Sequence, residues 1–266
     1  MRDKNSNQET KKGFLFLKKN IADILVASHS HEPYIIAFRY SGDNVASQAH
    51  GTLIGFFEID VHDEDSAYIV NFLASVAKKE YFANVRRGPV ESFEAALHKV
   101  NVALSELVKH GNISWLGHLH GALGILVKTT LHFSVTGEGS IFLFRDKTFR
   151  SISEGLIDEN AEPHPLKTFV EIASGELFPE DRALFLSPSV WRLFSPGDIE
   201  RGASRFTPDV LERFLRTALV NELDSAAAIL ITCEEDDAPA PPLKKEGVKT
   251  KAGNSAIKNA FSDEFE

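Results

Sequence analysis

The stretch that most restricts the fold is 131–145, Leu-His-Phe-Ser-Val-Thr-Gly-Glu-Gly-Ser-Ile-Phe-Leu-Phe-Arg. Two runs of β-branched and aromatic residues, 131–136 and 141–144, flank a Gly-Glu-Gly-Ser turn. Period-two alternation on either side of a glycine-bounded reversal specifies a strand–turn–strand unit. Gly137 and Gly139 allow positive φ, so the backbone can reverse sharply and carry the Glu138 carboxylate to the end of a sheet. An acid placed there can ligate a metal ion, although a solvated charge on a hairpin is the commoner occurrence.

Upstream, 21–26 and 34–38 read as strands around a His29-Ser30-His31-Glu32-Pro33 turn. Those two histidines have no third ligand nearby and are expected to be solvated. After the turn cluster 41–44, the apolar run 52–59 reads as a buried strand and ends in acids: Glu58, Asp60, then Asp63, Glu64 and Asp65. Ile69, Phe72, Leu73, Val76 and Tyr81 follow helical spacing, and Phe93, Leu97, Val100, Leu104, Leu107 and Val108 mark a second helix after Gly88-Pro89. Both helices are one-sided, so each is expected to cover a sheet. The segments 113–119, 122–127, 131–136, 141–144 and 148–153 predict an antiparallel meander. His118 and His120 within it could pair on a metal, but sheet-face histidines are more often structural.

A loop is predicted over 154–167, with strands at 169–173 and 183–187 and a turn at 187–191. Thr207-Pro208 starts a third helix with an N-cap residue and a proline at its first position. Leu211, Phe214, Leu215, Ala218 and Leu219 form its apolar stripe, and a last strand, 226–232, follows Asp224-Ser225. This divides the 266 residues into a basic arm (1–19), one domain (20–233) and an acidic, proline-containing, then lysine-rich tail (234–266). Phe261 and Phe265 in that tail stand in an acidic setting that would suit a docking motif, though an unstructured end is the plainer expectation.

A formal charge of −9 argues against a nucleic-acid or anionic-membrane binder. The single cysteine, Cys233, excludes an intrachain disulfide and points to a reducing compartment. The apolar run 14–17 is too short for a signal-peptide core, and no run approaches the ~20 apolar residues of a membrane helix. A soluble, cytoplasmic protein is expected.

The order of strand, acidic end, two helices, meander, turn, helix and strand resembles the metal-dependent PPM (PP2C-like) protein phosphatases over roughly 20–233. The resemblance rests on four places. Phe57-Glu58-Ile59-Asp60-Val61 stands where the family has Phe-Asp-Gly-His-Gly. Gly137-Glu138-Gly139-Ser140 with Leu143-Phe144-Arg145 is similar to Gly-Asp-Ser-Arg followed by a Leu-x-Arg strand. Ser187-Pro188-Ser189-Val190-Trp191 is similar to Ser-Asp-Gly-Leu-Trp, and Asp224-Ser225 to the closing Asp-Asn. The early Arg-x-x-Asn-Glu-Asp stretch has no match beyond Asp43-Asn44.

The resemblance implies an α+β, four-layer α-β-β-α sandwich of two antiparallel sheets flanked by helices. It also implies a cleft whose metal ligands would be Glu58, Glu138 and Asp224. A dinuclear centre needs hard oxygen ligands converging on two cations. Pro188 offers no side-chain oxygen, Glu58 exceeds aspartate by about 1.5 Å, and Ile59 replaces a glycine that admits close backbone approach. The expectation is therefore a pseudophosphatase: no catalytic residue, no cofactor, and a role in holding a protein or a phosphorylated segment. The alternative is a divergent, active Mn- or Mg-dependent phosphatase using Glu58, Asp60, Glu138 and Asp224, with Asp63 or Asp43. A remote alternative, an Ntn-type hydrolase, rests on His50-Gly51-Thr52, where the threonine would need a free amine.

Overall fold

The computed structural model describes residues 17–27, 33–157 and 162–235. His29, His31, Phe261 and Phe265 lie outside the described residues. Among the described residues, ten strands form two five-stranded sheets with antiparallel neighbours throughout. One sheet holds β2 (Tyr34–Ser41), β3 (Thr52–Ile59), β4 (Leu119–Val127), β5 (Thr130–Thr136) and β8 (Ala173–Glu176), in that order across the sheet. The other runs β1 (Leu17–Val26), β10 (Ala226–Glu235), β9 (Arg182–Leu186), β6 (Ser140–Arg145) and β7 (Thr148–Ser151). A single turn, α1 (Val45–Gln48), joins β2 to β3.

Alternation along β3 explains the layers. Leu53, Phe57 and Ile59 face α2 (Ser66–Tyr81) and α3 (Pro89–Lys109), whose Ile69, Leu73, Phe93, Leu97 and Val100 close one outer core. Ile54 and Phe56 face the other sheet, meeting Phe133, Ile141, Phe185 and Ile229 in the inner core. The second sheet's outer face is covered by α4 (Pro196–Arg205) and α5 (Pro208–Glu222). Leu211, Leu215 and Leu219 of α5, an i, i+4 row, are fully buried there, each worth about 2 kcal/mol of apolar burial. The four-layer α-β-β-α sandwich is therefore observed.

Several local expectations are corrected. Residues 113–118 form turns rather than a strand, because Trp115 buries its ring in the helix-side core and donates Nε1–H to the Asn112 carbonyl (3.0 Å). Pairing begins only at Leu119. The strand expected over 169–173 shifts to β8. Asn101 of α3 takes the backbone of Phe169 instead, accepting from its N–H (3.0 Å) and donating to its C=O (2.8 Å). Those are the bonds a sheet neighbour would have used. Helix α4 was not expected at all. Its start is secured by Ser195 and Asp198, each side chain bonding the other's backbone, and its buried positions are only Ile199, Gly202 and Ala203. The arm is shorter than expected, since Leu17, Lys18 and Lys19 pair in register with Glu235, Glu234 and Cys233.

Candidate functional site

The acidic end of β3 meets the turn between β5 and β6 and the segment after β9. Glu58 shares its face with Ile54 and Phe56, so its carboxyl enters the space between the sheets and is wholly buried. Ser189 Oγ donates to Glu58 Oε1 (2.7 Å), while Oε2 has no hydrogen-bond partner. Burial pushes the Glu58 carboxyl above its ordinary range. The Ser189 hydrogen bond, the nearby Ser187 hydroxyl and the charges of His120 and Arg192 oppose that shift without cancelling it. Ser187 is itself fixed to β10: its Oγ accepts from Ala227 N–H (3.0 Å), and its own N–H donates to the Ala227 carbonyl (3.0 Å).

Asp60, one residue past the end of β3, is exposed and held by two histidines. His118 Nδ1 lies 2.9 Å from Oδ1, and His120 Nε2 lies 3.3 Å from Oδ2. Partial burial opposes ionisation of Asp60, but the hydrogen bonds and charges of these histidines outweigh it and hold its pKa below the usual value. The tautomer of His120 follows from its other nitrogen. Nδ1 accepts from the Glu138 N–H (3.0 Å), so the neutral ring carries its proton on Nε2, which lies 3.3 Å from Asp60 Oδ2 without a well-aligned hydrogen bond.

The turn that presents Glu138 needs both glycines. Gly137 has φ +57°, and a Cβ there would lie 2.5 Å from His120 Nδ1. A Cβ on Gly139 would lie 2.3 Å from the Gly121 carbonyl oxygen. The turn is thus seated directly on the start of β4, which is what aims His120. The Glu138 carboxylate points to solvent, and Asp224, just before β10, is also exposed. Among the described residues no three His, Cys, Asp or Glu side chains are grouped as a metal ion would require. Of the three acids, Glu58 is thus buried between the sheets, while Glu138 and Asp224 are exposed. Sequence reasoning had paired neither histidine with Asp60 nor Ser189 with Glu58.

Arg145, from the Leu-x-Arg match, has a structural post. Its Nε and Nη2 grip both oxygens of buried Asp181 (2.9 and 2.6 Å), and Nη2 also donates to the Glu176 carbonyl (2.7 Å). Asp181 Oδ2 further accepts from the Phe178 N–H (2.7 Å), so the ion pair locks β6 to the β8–β9 connection.

No protein-family model matches the sequence, and no curated protein matches it. Solved structures do. An S. agalactiae serine/threonine phosphatase superposes over 81% of this chain and 99% of its own, with a TM-score of 0.62 and 13% identity. PppA, described as a key regulatory component of T6SS in Pseudomonas aeruginosa, covers 82% and 98% with a TM-score of 0.58 and 12% identity. The catalytic domain of the serine/threonine phosphatase PstP, in complex with two manganese ions, covers 82% and 100% with a TM-score of 0.56 and 13% identity.

The fold is that of the PPM phosphatases. Within the PPM framework, Pro188 opens a 3-10 turn, Pro188–Arg192, and Ser189 supplies the oxygen that reaches Glu58. In PstP two manganese ions are present. Here Glu58 is sealed from solvent, and both Asp60 oxygens lie beside histidine nitrogens. No helix among the described residues is long and apolar enough to cross a membrane.

Proposed function

We propose that this PPM-fold domain is a pseudophosphatase, a binding or regulatory module rather than a hydrolase. The observation that carries the reading is the state of Glu58. A carboxyl buried between the sheets, bonded to Ser189 and biased toward its neutral form is a poor ligand for a hard divalent cation. Asp60, the neighbouring acid, already has His118 and His120 within 3.3 Å of its two oxygens. Pro188 removes one side-chain oxygen from the opposite wall. Phosphoserine and phosphothreonine peptides incubated with the protein and millimolar Mn²⁺ or Mg²⁺ should release no phosphate above the buffer rate. Metal-dependent turnover that disappears in Glu58→Ala would overturn the reading.

The exposure of Asp60 and Glu138 favours the second reading, a divergent phosphatase with one rebuilt site. That reading requires a rise in melting temperature when Mn²⁺ is titrated in, because a ligand of the folded state stabilises it by mass action. A melting curve unchanged by metal removes it.

A further inference from the structure

Helices α4 and α5 leave an open groove over the outer face of the second sheet. One hollow of about 350 Å³ is walled by Phe194, Phe206 and Phe214 and edged by Arg201 and Arg205. Phe206 and Phe214 also wall a second hollow of about 460 Å³, edged by Arg213. The floor is fixed from below. Arg182 Nη1 donates to the Ala203 and Phe206 carbonyls, clamping the end of α4, and Phe206 and Phe214 lie 5.3 Å apart, ring to ring. The groove is therefore built into the packing of the two helices.

Its charges are unevenly spent. Arg201 is paired with Asp198, the one acidic side chain lining either hollow, and that carboxylate also binds Ser195. Arg205 makes no hydrogen bond or ion pair among the described residues. Arg213 offers only its Nε, to the Asp209 carbonyl at 3.3 Å. Two guanidinium groups with open donors thus flank a pair of partly exposed phenylalanines, on a chain whose formal charge is −9. Carboxylates are what such forks accept, and an aromatic or large aliphatic side chain is what the shared wall would bury.

We propose that the α4–α5 groove binds a short acidic segment of another protein. One aromatic anchor sits against Phe206 and Phe214, and carboxylates on either side reach Arg205 and Arg213. The two arginines edge different hollows, so the complementary charges are spaced along a segment rather than gathered on one phosphate. The groove shares no residue with the Glu58 cluster, and the proposal stands whether or not that cluster hydrolyses anything.

The test is fluorescence anisotropy of the full chain with a labelled Glu-Asp-Glu-Phe-Asp-Glu-Leu peptide at low and moderate salt. Saturable binding is expected, weakening as salt rises. It should fall on the order of tenfold in Arg205→Glu/Arg213→Glu and, separately, in Phe214→Ser, as for loss of an anchoring contact. Phe214 is more than a third exposed, so its replacement should leave the far-UV spectrum and melting curve intact. If it does not, the two surface arginines carry the test alone. The proposal is overturned by an absence of saturable binding at millimolar peptide, by equal binding of a lysine-for-acid peptide, or by undiminished binding in the arginine double variant. Tighter binding of a phosphoserine peptide lacking the aromatic would also overturn it. So would a dimer of the free chain in sedimentation that Phe214→Ser abolishes, which would make a second copy the occupant.

Discussion

Glu58 and Asp60 stand two residues apart at the end of β3, and their surroundings give them opposite behaviour. Glu58 is sealed between the sheets with one hydroxyl donor on Oε1 and nothing on Oε2. Asp60 is half in water and faced by two imidazoles. Burial prevails at the first and raises its pKa; hydrogen bonding and nearby charge prevail at the second and lower it. Distance along the chain therefore says little about ionisation. The difference lies in which side of the sheet edge each carboxyl enters.

The severest way to break the contrast is Gly139→Ala. Its Cβ would collide with the Gly121 backbone, which cannot give way as a flexible side chain can. A loss of about 3 kcal/mol in denaturant unfolding is expected. Moving the turn would also pull the Glu138 N–H off His120.

A subtler probe is Glu58→Gln. Because Glu58 is raised from 4.5 in the folded state, the folded protein binds a proton that the unfolded chain has already released. Stability is then complete below that value and declines as pH rises, until the folded carboxyl itself ionises. Relative to its own value at pH 4, the unsubstituted protein should lose stability by pH 8 that the Gln variant keeps. Parallel pH curves for the two would show that Glu58 ionises freely.

Asp60→Asn should give the smallest effect and the opposite slope. A pKa lowered from 3.8 contributes stability above that value and forfeits it as pH falls below. Asp60 is exposed, so solvent screens the pair, and the loss near pH 6 should stay under about 1 kcal/mol and shrink with added salt.

Much of this architecture was legible from residue patterns. Alternation and paired glycines marked the β5–β6 unit, and one-sided apolar stripes marked α2, α3 and α5. Elements with weak patterns were not. Helix α4 buries mainly small residues, so its stripe carries little hydropathy, and its evidence was the Ser195–Asp198 capping pair. The region 113–118 is apolar enough for a strand, yet its largest side chain, Trp115, is used to plug a core. Asn101 drew Phe169 away from the sheet through long-range bonds that spacing cannot reveal. The site was legible in part. That Glu58 shares a face with Ile54 and Phe56 follows from period two. That this face looks onto a second sheet, where Ser187 and Ser189 wait, needed the three-dimensional arrangement.

The pairing of β1 with β10 carries a topological consequence. Leu17 stands opposite Glu235 on neighbouring strands, roughly 5 Å apart, so a two-residue linker would close residues 17–235 into a ring. The Asp146-Lys147 reversal, with φ of 51° and 62°, offers a place to open that ring without dividing a sheet from its helices. A rewired chain beginning at Thr148 would keep every strand neighbour while turning the present outermost pairing into a hairpin.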